Sequence, residues 1–178
     1  IVGTIALAGL LAMNVNAQPS GFVFIDENGN GQFDAGEWNS TSIQDAVDNA
    51  SNGDTIIVSG GPYHENVIID KEIVLQGAGM PLIDGMGGTA INITAHNVTV
   101  NGFNIINASY GINCSKLGFT IKNNDINATV DGIHLELNEF GYHMDEDSSF
   151  IIGNSVIDNN IISAVDYGIY IEAHNWGS

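Results

Sequence analysis

Four short runs recur along this chain in one phase: Ala90-Ile91-Asn92-Ile93, Gly111-Ile112-Asn113-Cys114, Gly132-Ile133-His134-Leu135 and Gly168-Ile169-Tyr170-Ile171. Ile91, Ile112 and Ile133 stand 21 residues apart, and Ile169 follows after 36, one further period plus a 15-residue insertion. A unit this short cannot bury its own apolar side chains, so successive units must stack and share a core. Within each run apolar and polar residues alternate, the period of a β-strand with one buried face. Ile112, Ile133 and Ile169 therefore form one expected inward ladder, and Cys114, Leu135 and Ile171 the next. Val100, Ile121 and Ile157 each lie 11 residues before Gly111, Gly132 and Gly168, so a second strand keeps the same phase. Leucine-rich repeats would need a different Leu and Asn spacing, and a β-sandwich would not hold a fixed period. The expected fold is all-β, a right-handed parallel β-helix with a short N-terminal capping helix.

That helix is expected after Thr41, which with Gln44 reads as a capping box, and its apolar residues Ile43, Ala46, Val47 and Ala50 fall at helical spacing. Asn52-Gly53-Asp54 ends it, and short β runs such as Thr55 to Val58, Asn66 to Ile69 and Glu72 to Leu75 follow. Asn123-Asn124 and Asn159-Asn160 occupy equivalent bends, where side-chain amides can hydrogen-bond from one coil to the next. The segments Thr41 to Ala50, Gly53 to Gly60, Tyr63 to Val67 and Ile73 to Gly77 resemble the N-terminal cap and first coils of NosD-like, pectin-lyase-like and pectin-methylesterase-like β-helices. The resemblance implies the pectin-lyase-like solenoid and extracellular use. It does not imply one activity, because esterases, lyases and cell-surface repeat proteins share this cap.

Residues 1–17, apolar from Ile1 to Met13 and ending in Val15-Asn16-Ala17, are expected to be part of a signal peptide. Residues 18–40 are expected to form a calcium-loop segment and 41–178 the β-helix, expected to be cut short because Trp176-Gly177-Ser178 follows the last repeat strand without a closing cap. No run after the leader is long enough to span a bilayer, so the mature part is expected to have no integral membrane segment. Three Lys plus Arg against 21 Asp plus Glu give a net charge of −18, which makes nucleic acid and anionic lipid poor partners. The expected location is extracellular, at the cell surface, where salt and divalent cations screen such a charge. Cys114 has no second cysteine to pair with and is expected in the core.

Asp26-Glu27-Asn28-Gly29-Asn30-Gly31-Gln32-Phe33-Asp34-Ala35-Gly36-Glu37 fits the pattern D-x-[DN]-x-[DN]-G-x5-E. Hard Ca²⁺ needs six to eight oxygens around one centre. This spacing offers them from Asp26, Asn28, Asn30, the Gln32 carbonyl, Asp34 and Glu37, with Gly31 at the sharp turn. The loop resembles dockerin-like and EF-hand-like calcium loops, though the run before it reads as a strand; the alternative is a polar turn without an ion. Candidate N-glycosylation sequons stand at Asn39, Asn92, Asn97, Asn107, Asn113 and Asn127, with alternation expected to turn Asn92 and Asn113 outward where a glycan fits; unmodified Asn-rich turns are the alternative.

The remaining candidate site is the insertion, with Tyr142, His143, Asp145, Glu146 and Asp147, beside the strand carrying His134 and Glu136. If the coils are neighbours, Tyr170 and Glu172 lie about 4.8 Å from that strand. Glu136 and Glu172, with His134, are weak catalytic candidates, and Tyr142, His143, Asp145, Asp147 and Tyr170 weak ligand-binding ones; a plain solvated strand face is the simpler alternative. A pectate-lyase activity would call for an Arg base, and the chain has none; no Gln, Asp and Arg cluster of methylesterase type is present either. Copper, implied by the NosD-like resemblance, favours clusters of Cys, Met and His that are not found. The reading is a Ca²⁺-stabilised surface module binding carbohydrate or neighbouring surface proteins. The alternative is a polysaccharide-acting hydrolase or lyase with some catalytic coils outside this sequence.

Overall fold

The computed structural model describes residues 21–137, 142–144 and 150–173, giving the backbone alone at 142–144, 150, 151 and 173. Strands make up 54% of the fold, coiled into a parallel β-solenoid of about 4 turns. The chain opens with β1 (Phe22–Asp26), β2 (Asn39–Ser40) and α1 (Ile43–Asn49). The coils begin with β3 (Thr55–Ser59), β4 (Tyr63–His64) and β5 (Val67–Ile69), then β6 (Val74–Ala78), β7 (Leu82–Asp84) and β8 (Thr89–Ile93). Next come β9 (Thr99–Asn101) with the long, bent β10 (Asn104–Cys114), and β11 (Thr120–Lys122) with β12 (Asp125–Leu137). A hairpin of β13 (Tyr142–Met144) and β14 (Phe150–Ile152) occupies the insertion, before β15 (Val156–Asp158), β16 (Ile161–Ala164) and β17 (Tyr167–Ala173).

Three faces result. The first stacks β3, β6, β9, β11 and β15 in parallel; the second stacks β4, β7, the first half of β10, the first half of β12, and β16. The third stacks β5, β8, the second half of β10, the second half of β12, and β17. The ladders anticipated from the repeat are all present. Val67, Ile91, Ile112, Ile133 and Ile169 are in register, as are Ile69, Ile93, Cys114, Leu135 and Ile171. On the first face Ile56, Leu75, Val100, Ile121 and Ile157 align in the same way. Most of these side chains are fully buried, each contributing about 1.5–3 kcal/mol of apolar transfer free energy. In the last layer Ile169 and Ile171 remain 44% and 41% exposed, because no further layer lies over them among the described residues.

The repeat glycines Gly111 and Gly132 have a steric cause. A Cβ on Gly132 would lie 2.7 Å from the Gly168 carbonyl oxygen and collide with Ile162, and one on Gly111 would lie 2.6 Å from the Gly132 oxygen. At the corner between the first two faces the expected amide ladder is built: Asn159 donates to Asn123, Asn123 to Asn101, and Asn101 to Gln76, at 2.6, 2.7 and 2.6 Å. Inside it, Asn124 is 1% exposed; its Oδ1 accepts from the Phe103 N–H and its Nδ2 donates to Asn160 Oδ1.

The N-terminal end is closed by its own residues. β1 runs antiparallel to β3 and takes up the edge of the first face. The helix cap differs from the Thr41–Gln44 box expected above. Ser42 is the N-cap, receiving the Asp45 N–H, and the carboxylate comes from Glu65 of the first coil, which accepts from the Ile43 and Gln44 N–H groups. Gln44 is drawn elsewhere: its Oε1 accepts the Ile68 N–H at 2.8 Å, and its Nε2 reaches the Ile68 carbonyl. One side-chain amide thus pairs with the outer edge of β5, as a neighbouring strand would. Lys71 Nζ closes the other end of the helix on the Val47 and Asp48 carbonyls.

Replacing Asn124 by Ala removes the acceptor of the buried Phe103 N–H. We expect a loss of about 1–3 kcal/mol in urea unfolding, against under about 0.5 kcal/mol for exposed Asn127→Ala.

Candidate functional site

The outward side of the third face is built of rows that run from coil to coil, because in-register stacking sets equivalent side chains above one another. Its central row reads Ile68, Asn92, Asn113, His134 and Tyr170, in register across β5, β8, β10, β12 and β17. Beside it runs Thr89, Tyr110, Asp131 and Tyr167. Glu136 and Glu172 are a registered pair on the other flank, so the expected neighbourhood of His134, Glu136, Tyr170 and Glu172 is formed.

Over the last coils these rows merge into one cluster. The His134 ring stacks on Tyr170, with centroids 4.9 Å apart and planes at 21°, and meets Tyr110 edge-on at 4.9 Å. Tyr167 leans on Tyr170 at 5.3 Å and is 56% exposed. His134 Nδ1 is 2.7 Å from Asp131 Oδ2; the two side chains are 17% and 5% exposed. In the neutral imidazole this contact favours the tautomer with the proton on Nδ1, donating to Asp131, and leaves Nε2 as an acceptor. The other oxygen, Asp131 Oδ1, is buried without a hydrogen-bond partner among the described residues. The result is a polar aromatic patch whose imidazole is held from below and braced on both sides.

Tyr110, Asp131 and Tyr167 were not among the residues singled out from the sequence. The signal was present, since each directly precedes the repeat glycine (Tyr110-Gly111, Asp131-Gly132, Tyr167-Gly168). Reading that column of the repeat would have brought them together. Of the insertion candidates, Tyr142 and His143 lie in β13, described as backbone only, and Asp145, Glu146 and Asp147 lie outside the described residues. Residues 1–17, expected to be part of a signal peptide, and Trp176-Gly177-Ser178 also lie outside them.

The Asp26–Glu37 loop folds back on itself. Asp26, 8% exposed, accepts the Gly29 and Asn30 N–H groups at Oδ1 and the Gly31 N–H at Oδ2. Gly31 has φ +74°, the left-handed turn anticipated at that position. Glu37, also 8% exposed, accepts the Glu27 and Asp34 N–H groups, and the Gln32 N–H reaches Asn30 Oδ1. Asn28 and Asn30 each donate to Asp34 Oδ2 at 2.7 Å, which holds the Asp34 carboxyl below the ordinary aspartate range. Phe33 anchors the loop on Phe22 and Phe24, at 5.1 and 5.7 Å. Among the described residues no group of three or more His, Cys, Asp or Glu side chains is arranged to hold a metal. The chemistry of the donor set nonetheless suits a hard cation: all donors are oxygens, and turning either amide by 180° puts its oxygen where its nitrogen now meets Asp34.

The sequons fall in two groups. Asn39, Asn97, Asn107 and Asn127 are exposed, whereas Asn92 and Asn113 are only partly exposed within strands of the third face. A seventh, Asn49-Ala50-Ser51, was missed although the same pattern finds it; Asn49 is exposed at the end of α1.

No protein-family profile matches this chain, and no solved structure matches it. It is 40% identical over 98 residues to a protein of Methanothermus fervidus named cell surface glycoprotein, a match covering 52% of this chain. The chain spans only 16% of that relative's length. Among the described residues no helix is long and apolar enough to cross a membrane.

If Asp131 fixes the His134 tautomer, nitrogen-detected NMR should find the Nδ1–H form dominant in the native protein. In Asp131→Ala the Nε2–H form should rise to a comparable share, with the coil still folded by its methyl spectrum. An unchanged tautomer ratio would show that the neighbouring rings, and not Asp131, set it.

Proposed function

We propose that this chain is an extracellular β-solenoid module of a cell-surface protein, and that its third face binds carbohydrate. The observation that carries the reading is the Tyr110–His134–Tyr170 stack with Tyr167 at its margin and Glu136 and Glu172 beside it. Tyrosines offer an apolar ring body and a polar hydroxyl, and carboxylates and an imidazole nitrogen accept hydrogen bonds from sugar hydroxyls. The scaffold is rigid, so little ordering entropy opposes binding. Support for the surface location comes from the relative's name and from the charge of −18, which is best tolerated in saline or cation-rich surroundings. That charge also argues for neutral glycans over uronates or phosphates.

The Asp26–Glu37 loop is read as a Ca²⁺ site of structural use. Asp26, Asn28, Asn30, the Gln32 carbonyl, Asp34 and Glu37 would hold the ion, and the Phe33 anchor would pass its order to β1. An exposed loop of this kind belongs to the weak extracellular range, roughly 10⁻⁴ to 10⁻³ M.

Two measurements test these readings. On an array of neutral cell-wall glycans, the wild type should bind a defined subset, and Tyr170→Ala and Tyr167→Ala should each weaken binding about tenfold, or about 1.4 kcal/mol. Equal binding by both folded variants would remove the third face from consideration. Adding ~10 mM Ca²⁺ should stabilise the chain by about 1.4–2.7 kcal/mol over a chelator control. Asp34→Ala should abolish that gain, and a gain that survives it would place the ion elsewhere.

A further inference from the structure

We infer that N-linked glycans are carried by Asn39, Asn49, Asn97, Asn107 and Asn127 but not by Asn92 or Asn113, which leaves the third face bare. The inference rests on the surface reading given above, and it divides sequons that are equivalent by motif. Transfer requires the side-chain Nδ2 to reach the anomeric carbon of a lipid-phosphate-linked oligosaccharide. A C–N bond forms, the anomeric C–O bond to phosphate breaks, the amide loses one proton and the lipid phosphate leaves. The acceptor segment must therefore stand clear of its neighbours, and the product must leave room for a bulky, hydrated group.

Five positions meet that condition. Asn39 lies on the two-residue edge strand β2, and Asn49 is the last residue of α1. Asn97, with φ +55°, is in the turn between the third and first faces, and Asn107, with φ +50°, lies where the pairing of β10 with β12 slips register. Asn127 projects from the second face beside that irregularity, and all five are exposed.

Asn92 and Asn113 differ in being only partly exposed and in lying between two paired strands. Asn92 is at the middle of the pairing of β8, bonded to β5 on one side and β10 on the other. Asn113 is held likewise between β8 and β12. Their side chains are joined, Asn113 Nδ2 donating to Asn92 Oδ1 at 2.9 Å. Neither segment can leave the sheet without opening coils on both sides, and a glycan on Asn113 would stand in the same row as His134 and Tyr170. The carbohydrate coat would thus cover the second face, two corners and the N-terminal end, and stop at the aromatic patch.

Glycopeptide mass spectrometry on protein from its native cells tests this. We expect glycan at the five exposed positions and unmodified peptides containing Asn92 and Asn113. Asn127→Gln should lower the intact mass by one glycan, and Asn113→Gln should leave the glycan mass unchanged. Occupancy of Asn92 or Asn113 comparable with the exposed sites overturns the inference. So do five bare exposed sites in protein that external protease shows to be at the cell surface; protein that such protease cannot reach instead overturns the surface reading itself.

Discussion

The fold depends on vertical burial. No coil has an interior of its own, since Ile112 is sealed only because Ile91 lies below it and Ile133 above. Each layer is therefore both core and lid for its neighbours, and stability is approximately a sum over contacts between adjacent layers. That constraint explains the regularity of the chain. An apolar residue one position out of phase would face water, and a side chain at Gly111 or Gly132 would drive two coils apart. Polar groups at the bends face the same demand, met by Asn124 and the amides stacked around it.

The outward side is released from this demand, and there the coils diverge. The central row of the third face changes from Ile68 through two asparagines to His134 and Tyr170. Such a gradient along a uniform rod localises a patch without altering the backbone. The burial of Asp131 beneath His134 indicates that the patch is organised, because a carboxylate at 5% exposure is costly to keep unless it serves a neighbour. The side-chain cluster and the regular core are thus two uses of one alternating pattern.

Much of this was legible in the sequence, for a physical reason. Ladders, register and the corner amides follow from a period, and a period survives in a linear string; the predicted alignment of Cys114 with Leu135 and Ile171 is an example. Contacts made between unlike segments leave no such trace. Glu65 capping the helix, and Gln44 turning from its expected cap to Ile68, join positions more than 20 residues apart that have no repeat in common. The same holds for the rings: alternation put His134 and Tyr170 on one face, but their stacking on each other is set by side-chain rotation. The hairpin of β13 and β14 stands outside the period, so nothing in the repeat announces it.

The amide of Gln44 has a consequence for how many copies of this rod could be arranged. A solenoid whose first strands were left open would accept a strand from any neighbour, and rods would join end to end or clump. Here the edge of β5 is already occupied by a side chain, and the edge of β3 by β1. Growth of a fibre through this end would have to displace both. At this end, backbone pairing with a neighbour is closed to both β3 and β5.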